Sequence, residues 1–147
     1  MAALHKMIEL AEQRSDGALL TWQRLKQQCD EALMKLSLLK QHRERYHDLF
    51  RAGLEQGMPA MSTMAYLGFI GQIDEVVTRQ ESEVGRVEAA CAQQWQELVE
   101  RRREKRLYEI FGERAASREL AAAFRRSQVE IDDLLQRVVK NPMQSSF

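Results

Sequence analysis

The sequence has 147 residues, of which 30% are charged, 44% are hydrophobic and only 7% are aromatic. Lysine plus arginine equals aspartate plus glutamate, at 22 each, so no overall field steers a polyanion toward the chain. This balance argues against nucleic acid as the main partner. A chain rich in Ala, Leu, Glu, Gln, Lys and Arg is typical of long helices or coiled coils rather than of a compact globule.

Helix one is predicted over about residues 3–52. It ends where Gly53, Gly57 and Pro59 follow one another closely. Proline interrupts helices because it lacks a backbone donor and clashes with the preceding turn. These residues therefore predict a turn over about residues 53–61.

Helix two is predicted over about residues 62–140. Ser62 is a candidate N-cap, because its hydroxyl can accept a free backbone N–H. Pro142 ends the helix before a polar tail at 141–147. Gly112 is a position where the helix can bend or break, since glycine costs about 1 kcal/mol relative to alanine in a helix interior. The whole chain is expected to form a single coiled-coil domain.

The hydrophobic pattern of helix one alternates steps of four and three, which is the coiled-coil repeat. Helix two has a similar seam, with polar interruptions, and the pattern weakens after Leu98. Since one short turn makes the helices antiparallel neighbours, the sequence predicts an all-α fold, a long two-helix antiparallel coiled coil (hairpin). The seam of helix one is Leu4, Ile8, Ala11, Ser15, Ala18, Trp22, Leu25, Cys29, Ala32, Leu36, Leu39, Arg43, Tyr46 and Phe50. The seam of helix two is Tyr66, Ile70, Ile73, Val77, Gln80, Val84, Val87, Cys91, Gln94 and Leu98.

The second helix is longer than the first and is expected to overhang at the C-terminus. Helix one can cover it only to about residue 112, so at about 1.5 Å per residue some 40 Å of helix would project unpaired. An unpaired amphipathic helix is usually a docking element. The apolar residues of this segment are candidate contacts to another protein: Leu120, Phe124, Ile131, Leu134, Leu135 and Val138.

No constellation of residues predicts catalysis, a cofactor or a metal. There is no phosphate-binding Gly-rich loop and no dinucleotide motif. His42 and His47 are about 140° apart around a helix, which makes them poor joint metal ligands. Cys29 and Cys91 fall on seam positions more than a turn from facing each other, so we expect two small core residues rather than a disulfide. The sequence therefore predicts a protein that is not an enzyme.

No targeting or membrane-spanning segment is predicted. No apolar run reaches the roughly 18 residues of a transmembrane helix, and the N-terminal stretch is amphipathic rather than a signal peptide. Two cysteines without an export signal indicate a reducing cytoplasm. We expect a cytoplasmic protein with no direct membrane insertion.

A basic run is the sharpest charge feature of the chain. It begins at Arg101, Arg102 and Arg103 and continues after Glu104 with Lys105 and Arg106. Such a run is usually a solvated helix face, although it can also contact an acidic protein surface. Both interpretations stay open, and Arg101, Arg102 and Arg103 are candidate contacts to a partner protein.

A second line of apolar residues lies beside the seam near the turn. A register centred between Gly57 and Met58 pairs Tyr46 with Phe69 and His42 with Ile73, so two lines run side by side. An apolar patch of this size on a solvated hairpin is typical of a partner site, but a seam that is simply broad here would give the same pattern. The eight residues of the two lines are Lys35, Leu39, His42, Tyr46, Phe69, Ile73, Val76 and Gln80.

Residues spread along both helices form a pattern that is typical of one known family. They are Cys29 with Ala32 and Leu36, the segment Arg43-Glu44-Arg45-Tyr46, the Gly57 turn, Tyr66 with Phe69-Ile70, Gln80, and Trp95 with the basic stretch after it. On these residues the chain resembles the FliJ family of flagellar export proteins. The resemblance implies a cytoplasmic component of the type III flagellar export apparatus, peripherally associated with the membrane-embedded machinery. Family members are similar to the gamma stalk of rotary ATP synthases.

The resemblance also implies partners. These are the export ATPase ring, the export gate protein FlhA and export chaperones. The gate-binding patch of the family falls on the eight residues given above. The sequence departs from the family at His42, where tyrosine occurs, and at Thr63, where an aromatic residue often stands.

Two other functions fit the same pattern. One is the equivalent stalk of a virulence type III secretion system, and the other is an unrelated coiled-coil adaptor. A hairpin whose seam is satisfied by its own partner helix is expected to be monomeric alone.

Overall fold

The computed structural model describes residues 2–140, so Pro142 and the predicted polar tail lie outside the described residues. Two helices make up this part of the chain: α1 is Ala2–Glu55 and α2 is Ala60–Lys140. No strand occurs among residues 2–140. The helices pack against each other as an antiparallel hairpin, which confirms the predicted fold class.

The turn between the helices is four residues long, 56–59, because glycine and proline stand at its two critical positions. Gly57 has φ of +83°, a left-handed conformation that residues with a Cβ rarely adopt. Its N–H donates to the carbonyl of Leu54 at 3.2 Å. At the other side, the Pro59 carbonyl accepts from the Thr63 N–H at 3.0 Å and opens α2.

The helices extend further into the turn than the sequence pattern indicates. Gly53 lies inside α1, and Ser62 lies inside α2 rather than before it, so Ser62 is not the N-cap. Pro59 precedes Ala60 directly, and its restricted φ already suits a helix start. At the far side, α2 is continuous through Gly112.

The contacts divide the described chain into two units, and each contains part of both helices. The unit of residues 14–101 holds most of the core. Val77 and Leu98 are fully buried in it, and burying a side chain of this size stabilises a fold by about 1.5–3 kcal/mol. Its central cluster comprises Leu36, Val77 and Val84, with Ala32, Leu39 and Ile73 packed against it.

Three aromatic pairs bridge α1 and α2 within residues 14–101. Their ring centroids are 5.1 Å apart for Trp22 and Trp95, 4.7 Å for Tyr46 and Phe69, and 6.1 Å for Phe50 and Tyr66. The Tyr46–Phe69 contact is the one that the predicted register requires.

The other unit pairs residues 2–13 with the part of α2 that begins at Arg102. Ala11 is buried there, and Lys105 lies 3.9 Å from Glu12. A Cβ on Gly112 would stand 3.2 Å from Cδ1 of Ile8, so glycine permits close approach of the helices at this point. After Ala115, every residue through Lys140 except Ala122 is exposed.

The role of Gly57 gives a direct test. Gly57→Ala is expected to lower the free energy of unfolding by about 1–2 kcal/mol, because a left-handed conformation carries that cost for a residue with a Cβ. The measurement is urea unfolding followed by circular dichroism.

The matched control is Gly85→Ala. Gly85 lies inside α2 with open space around its Cα, so alanine there is expected to stabilise the protein by about 0.5–1 kcal/mol. Stabilisation by both substitutions would contradict the role assigned to Gly57.

Candidate functional site

We call the eight predicted residues beside the turn the tip face: Lys35, Leu39, His42, Tyr46, Phe69, Ile73, Val76 and Gln80. The structure brings them together on the hairpin, with Tyr46 and Phe69 in an edge-to-face contact at 73°. Such aromatic pairs contribute about 0.5–1.5 kcal/mol beyond their buried area. The contact holds Phe69 in place while 43% of its surface remains exposed.

The tip face is not uniformly accessible. Four of its members are exposed, namely Lys35, His42, Phe69 and Val76. Leu39 and Ile73 are half-buried and pack against the central core cluster, so they mainly support the seam. The exposed part of the tip face is therefore a small apolar surface with one lysine and one histidine.

Gln80 stands apart from the other tip-face residues because it is buried, with 8% of its surface exposed. Its Nε2 donates to the carbonyl oxygen of Ala32 across the helix pair at 3.0 Å. The amide is thus engaged inside the hairpin rather than presented to a partner.

We call the apolar residues of the C-terminal part of α2 the C-terminal face: Leu120, Phe124, Ile131, Leu134, Leu135 and Val138. All six are exposed, Leu120 at 75% and Phe124 at 69%. Val129 and Val139 are also exposed, and the sequence pattern missed both because they fall off the seam spacing. Exposure of apolar area on this scale is a feature of protein interaction sites.

The basic run is partly neutralised by acidic neighbours. Arg101 pairs with Glu97 at 2.9 Å, and Lys105 lies 3.9 Å from both Glu12 and Glu109. Contacts of this kind are typical of a solvated helix face that carries several ion pairs, and each exposed pair contributes only about 0.2–1 kcal/mol.

Arg102 and Arg103 are the exposed members at the start of the run. They remain candidate contacts to an acidic surface.

A groove beside the Trp22–Trp95 pair is lined by both cysteines, which are free. Cys29 is buried and Cys91 is half-buried. Burial raises the pKa of the Cys29 thiol, and the nearby Glu88 raises it further. Since the thiolate is the reactive form, Cys29 is poorly nucleophilic at neutral pH.

Two further features of the described residues bear on function. In residues 2–140, no three or more His, Cys, Asp or Glu side chains are grouped so that they could hold a metal ion. Across the same residues, neither helix has a stretch apolar enough, over the required length, to cross a membrane.

A two-helix antiparallel hairpin with exposed apolar faces defines a coiled-coil protein. A profile of the family described as "Flagellar FliJ protein" matches residues 1–144. No curated protein and no solved structure gave a match. Because the profile covers almost the whole chain, this protein belongs to the FliJ family, and the resemblance seen in the sequence is confirmed.

Membership of the family makes the chain a component of the flagellar type III export apparatus. The family is non-catalytic, in keeping with the prediction from sequence.

The two thiols provide a prediction about the groove. Cys91 is expected to react with iodoacetamide at least about tenfold faster than Cys29 at pH 7.5, because Cys29 is buried and its pKa is raised. Mass spectrometry of peptides sampled over time gives both rates. Raising the pH toward the Cys29 pKa should narrow the difference, and equal rates at pH 7.5 would contradict the packing described here.

Proposed function

We propose that this protein is a stalk-type connector on the cytoplasmic side of the flagellar export apparatus. In this role the C-terminal face binds the export ATPase ring, and the exposed part of the tip face binds the export gate protein FlhA. The proposal is supported chiefly by the family match together with two separate apolar faces that the hairpin leaves uncovered.

The chemistry of the C-terminal face favours a helical or grooved protein surface as its partner. An amphipathic helix that docks into a groove presents anchors at i, i+3, i+4 and i+7. On α2 this spacing is followed, counted from Ile131, by Leu134, Leu135 and Val138, and all four residues are exposed. Arg102 and Arg103 add positive charge that an acidic rim on the ring would complement.

The tip face suits a smaller contact. Phe69 is held by Tyr46 and is an exposed aromatic anchor. Val76 is also exposed and lies about two turns further along the same side of α2. Aromatic anchors commonly dominate the binding energy of an interface. His42 and Lys35 add polar groups that fix orientation at the edge of such an apolar contact.

Both faces lie on α2, so one continuous helix carries the two contacts. Coupling between two sites requires an element that both sites bias. In the proposed mechanism α2 is that element, with α1 stiffening it along the seam. Handling of export chaperones and peripheral association with the membrane-embedded machinery belong to the same proposal, and the free chain is monomeric in it.

Separate loss of the two contacts is the expected result of mutation. Phe69→Ala with Val76→Ala should weaken binding to the cytoplasmic domain of FlhA by about tenfold or more, because each truncation removes an exposed apolar anchor. The same variant should bind the export ATPase normally. Calorimetry with each purified partner measures both affinities.

The reciprocal variant is Phe124→Ala with Leu134→Ala, which should lose ATPase binding and keep FlhA binding. Leu38→Ala is the matched control, since Leu38 is exposed on α1 but belongs to neither face. Loss of ATPase binding in the Phe69 and Val76 variant, with FlhA binding retained, would contradict the proposed division.

A further inference from the structure

Two glutamines of α2 cross the seam and bind the backbone of α1. Gln80 Nε2 donates to the Ala32 carbonyl at 3.0 Å, and Gln94 Nε2 donates to the Ala18 carbonyl at 3.4 Å. The glutamines are two heptads apart on α2, and the alanines are two heptads apart on α1. The contacts are therefore two copies of one arrangement within residues 14–101.

Alanine at the facing position is what allows the contact. A backbone carbonyl has two lone pairs, so it can accept a side-chain donor while keeping its bond within the helix. The glutamine amide reaches it only where the facing side chain is too small to cover it. Ala18 is buried and Ala32 is half-buried, and both carbonyls lie against α2, since each accepts a glutamine amide.

The heptad repeat by itself does not distinguish this register from its neighbours. Seam positions repeat every heptad, so sliding α1 by one heptad still sets apolar residues against apolar residues. The two glutamines do distinguish the registers. After a slip of one heptad in one direction, Gln80 would face Leu39 and Gln94 would face Leu25. After a slip in the opposite direction, Gln80 would face Leu25, and only Gln94 would still face an alanine, Ala11.

A slip by two heptads also breaks the match. Gln80 then faces Ala18 while Gln94 faces Leu4, or Gln94 faces Ala32 while Gln80 faces Tyr46. Among these registers, both amides meet an alanine only in the observed one. Elsewhere at least one amide is held against a large side chain, and a buried polar group without a partner is strongly unfavourable.

We propose that Gln80 and Gln94 act together as a register lock that selects one alignment of α1 against α2. A single polar residue in a coiled-coil seam is known to specify register at some cost in stability. Here the specification comes from the spacing of two contacts of the same kind, each from a glutamine amide to an alanine carbonyl. The lock goes beyond the proposed connector function, and it accounts for the burial of Gln80, which a partner contact does not.

The short turn also limits slipping, so the experiment separates the two constraints. About ten glycine and serine residues are inserted after Gly57, which makes a flexible turn compatible with neighbouring registers. In that full-length chain, Cys29→Ala and Cys91→Ala remove the native thiols. Circular dichroism checks that each variant keeps its helical content.

Introduced cysteine pairs then report the register through a short bifunctional thiol crosslinker. Lys40→Cys with Glu81→Cys reports the observed register, since Nζ of Lys40 lies 3.9 Å from Oε1 of Glu81 in the native protein. Lys40→Cys with Asp74→Cys or with Glu88→Cys reports a slip of one heptad in either direction. One heptad is about 10 Å along a helix, which a short crosslinker resolves.

With both glutamines present, crosslinking is expected only for the Lys40 and Glu81 pair. Gln80→Leu with Gln94→Leu should raise crosslinking of the slipped pairs by about tenfold or more, because leucine is accepted in every register. Gln72→Leu with Gln93→Leu is the matched control; both side chains are exposed, and the variant should keep the parent pattern. Unchanged crosslinking in the Gln80 and Gln94 variant would overturn the proposal.

A second variant keeps both glutamines and moves their alanine partners. Ala18→Leu with Leu25→Ala, combined with Ala32→Leu and Leu39→Ala, leaves the composition of the seam unchanged. The lock then predicts that crosslinking moves to the Lys40 and Glu88 pair. Continued crosslinking of Lys40 with Glu81 alone would show that the glutamines do not select the register.

Discussion

The packing of α1 against α2 along one seam is the interaction on which the rest of this structure depends. Neither helix has a second partner within residues 14–101, so the burial of Leu36, Val77 and Val84 between them must hold the pair together. A narrow seam leaves little apolar surface to bury, and a long helix in water owes most of its stability to such packing. The seam therefore decides which parts of each helix are stable alone and which parts need a partner.

The proposed functional surfaces lie on the parts of the helices that the seam leaves uncovered. On the tip face, Phe69 is steadied by Tyr46 across the seam but keeps much of its ring exposed. In the other unit α2 continues as an amphipathic helix after its last half-buried contact positions, and the C-terminal face stays open. In the proposed function, the hairpin therefore supports the tip face, while a partner protein covers the C-terminal face.

The sequence predicted the hairpin, the register and the Tyr46–Phe69 contact, because heptad periodicity and a short Gly/Pro turn are strong local signals. The sequence did not predict the hydrogen bond from Gln80 to the backbone of α1. At the level of pattern, a polar residue in a seam can be a partner contact or an internal hydrogen-bond donor. The difference depends on Ala32 leaving its carbonyl within reach, which is a matter of packing. The turn predicted over residues 53–61 is longer than the turn of residues 56–59 in the structure, since Pro59 can directly precede a helix.

The central claim is that the C-terminal face is unsatisfied until a protein partner covers it. Amide hydrogen exchange measures this directly, because a helix without tertiary packing opens readily. In the free chain, amides of residues 116–140 should exchange much faster than those around Val77 and Leu98. Adding the export ATPase should slow exchange across 116–140. Slow exchange of this segment in the free chain, unchanged by the ATPase, would contradict the account.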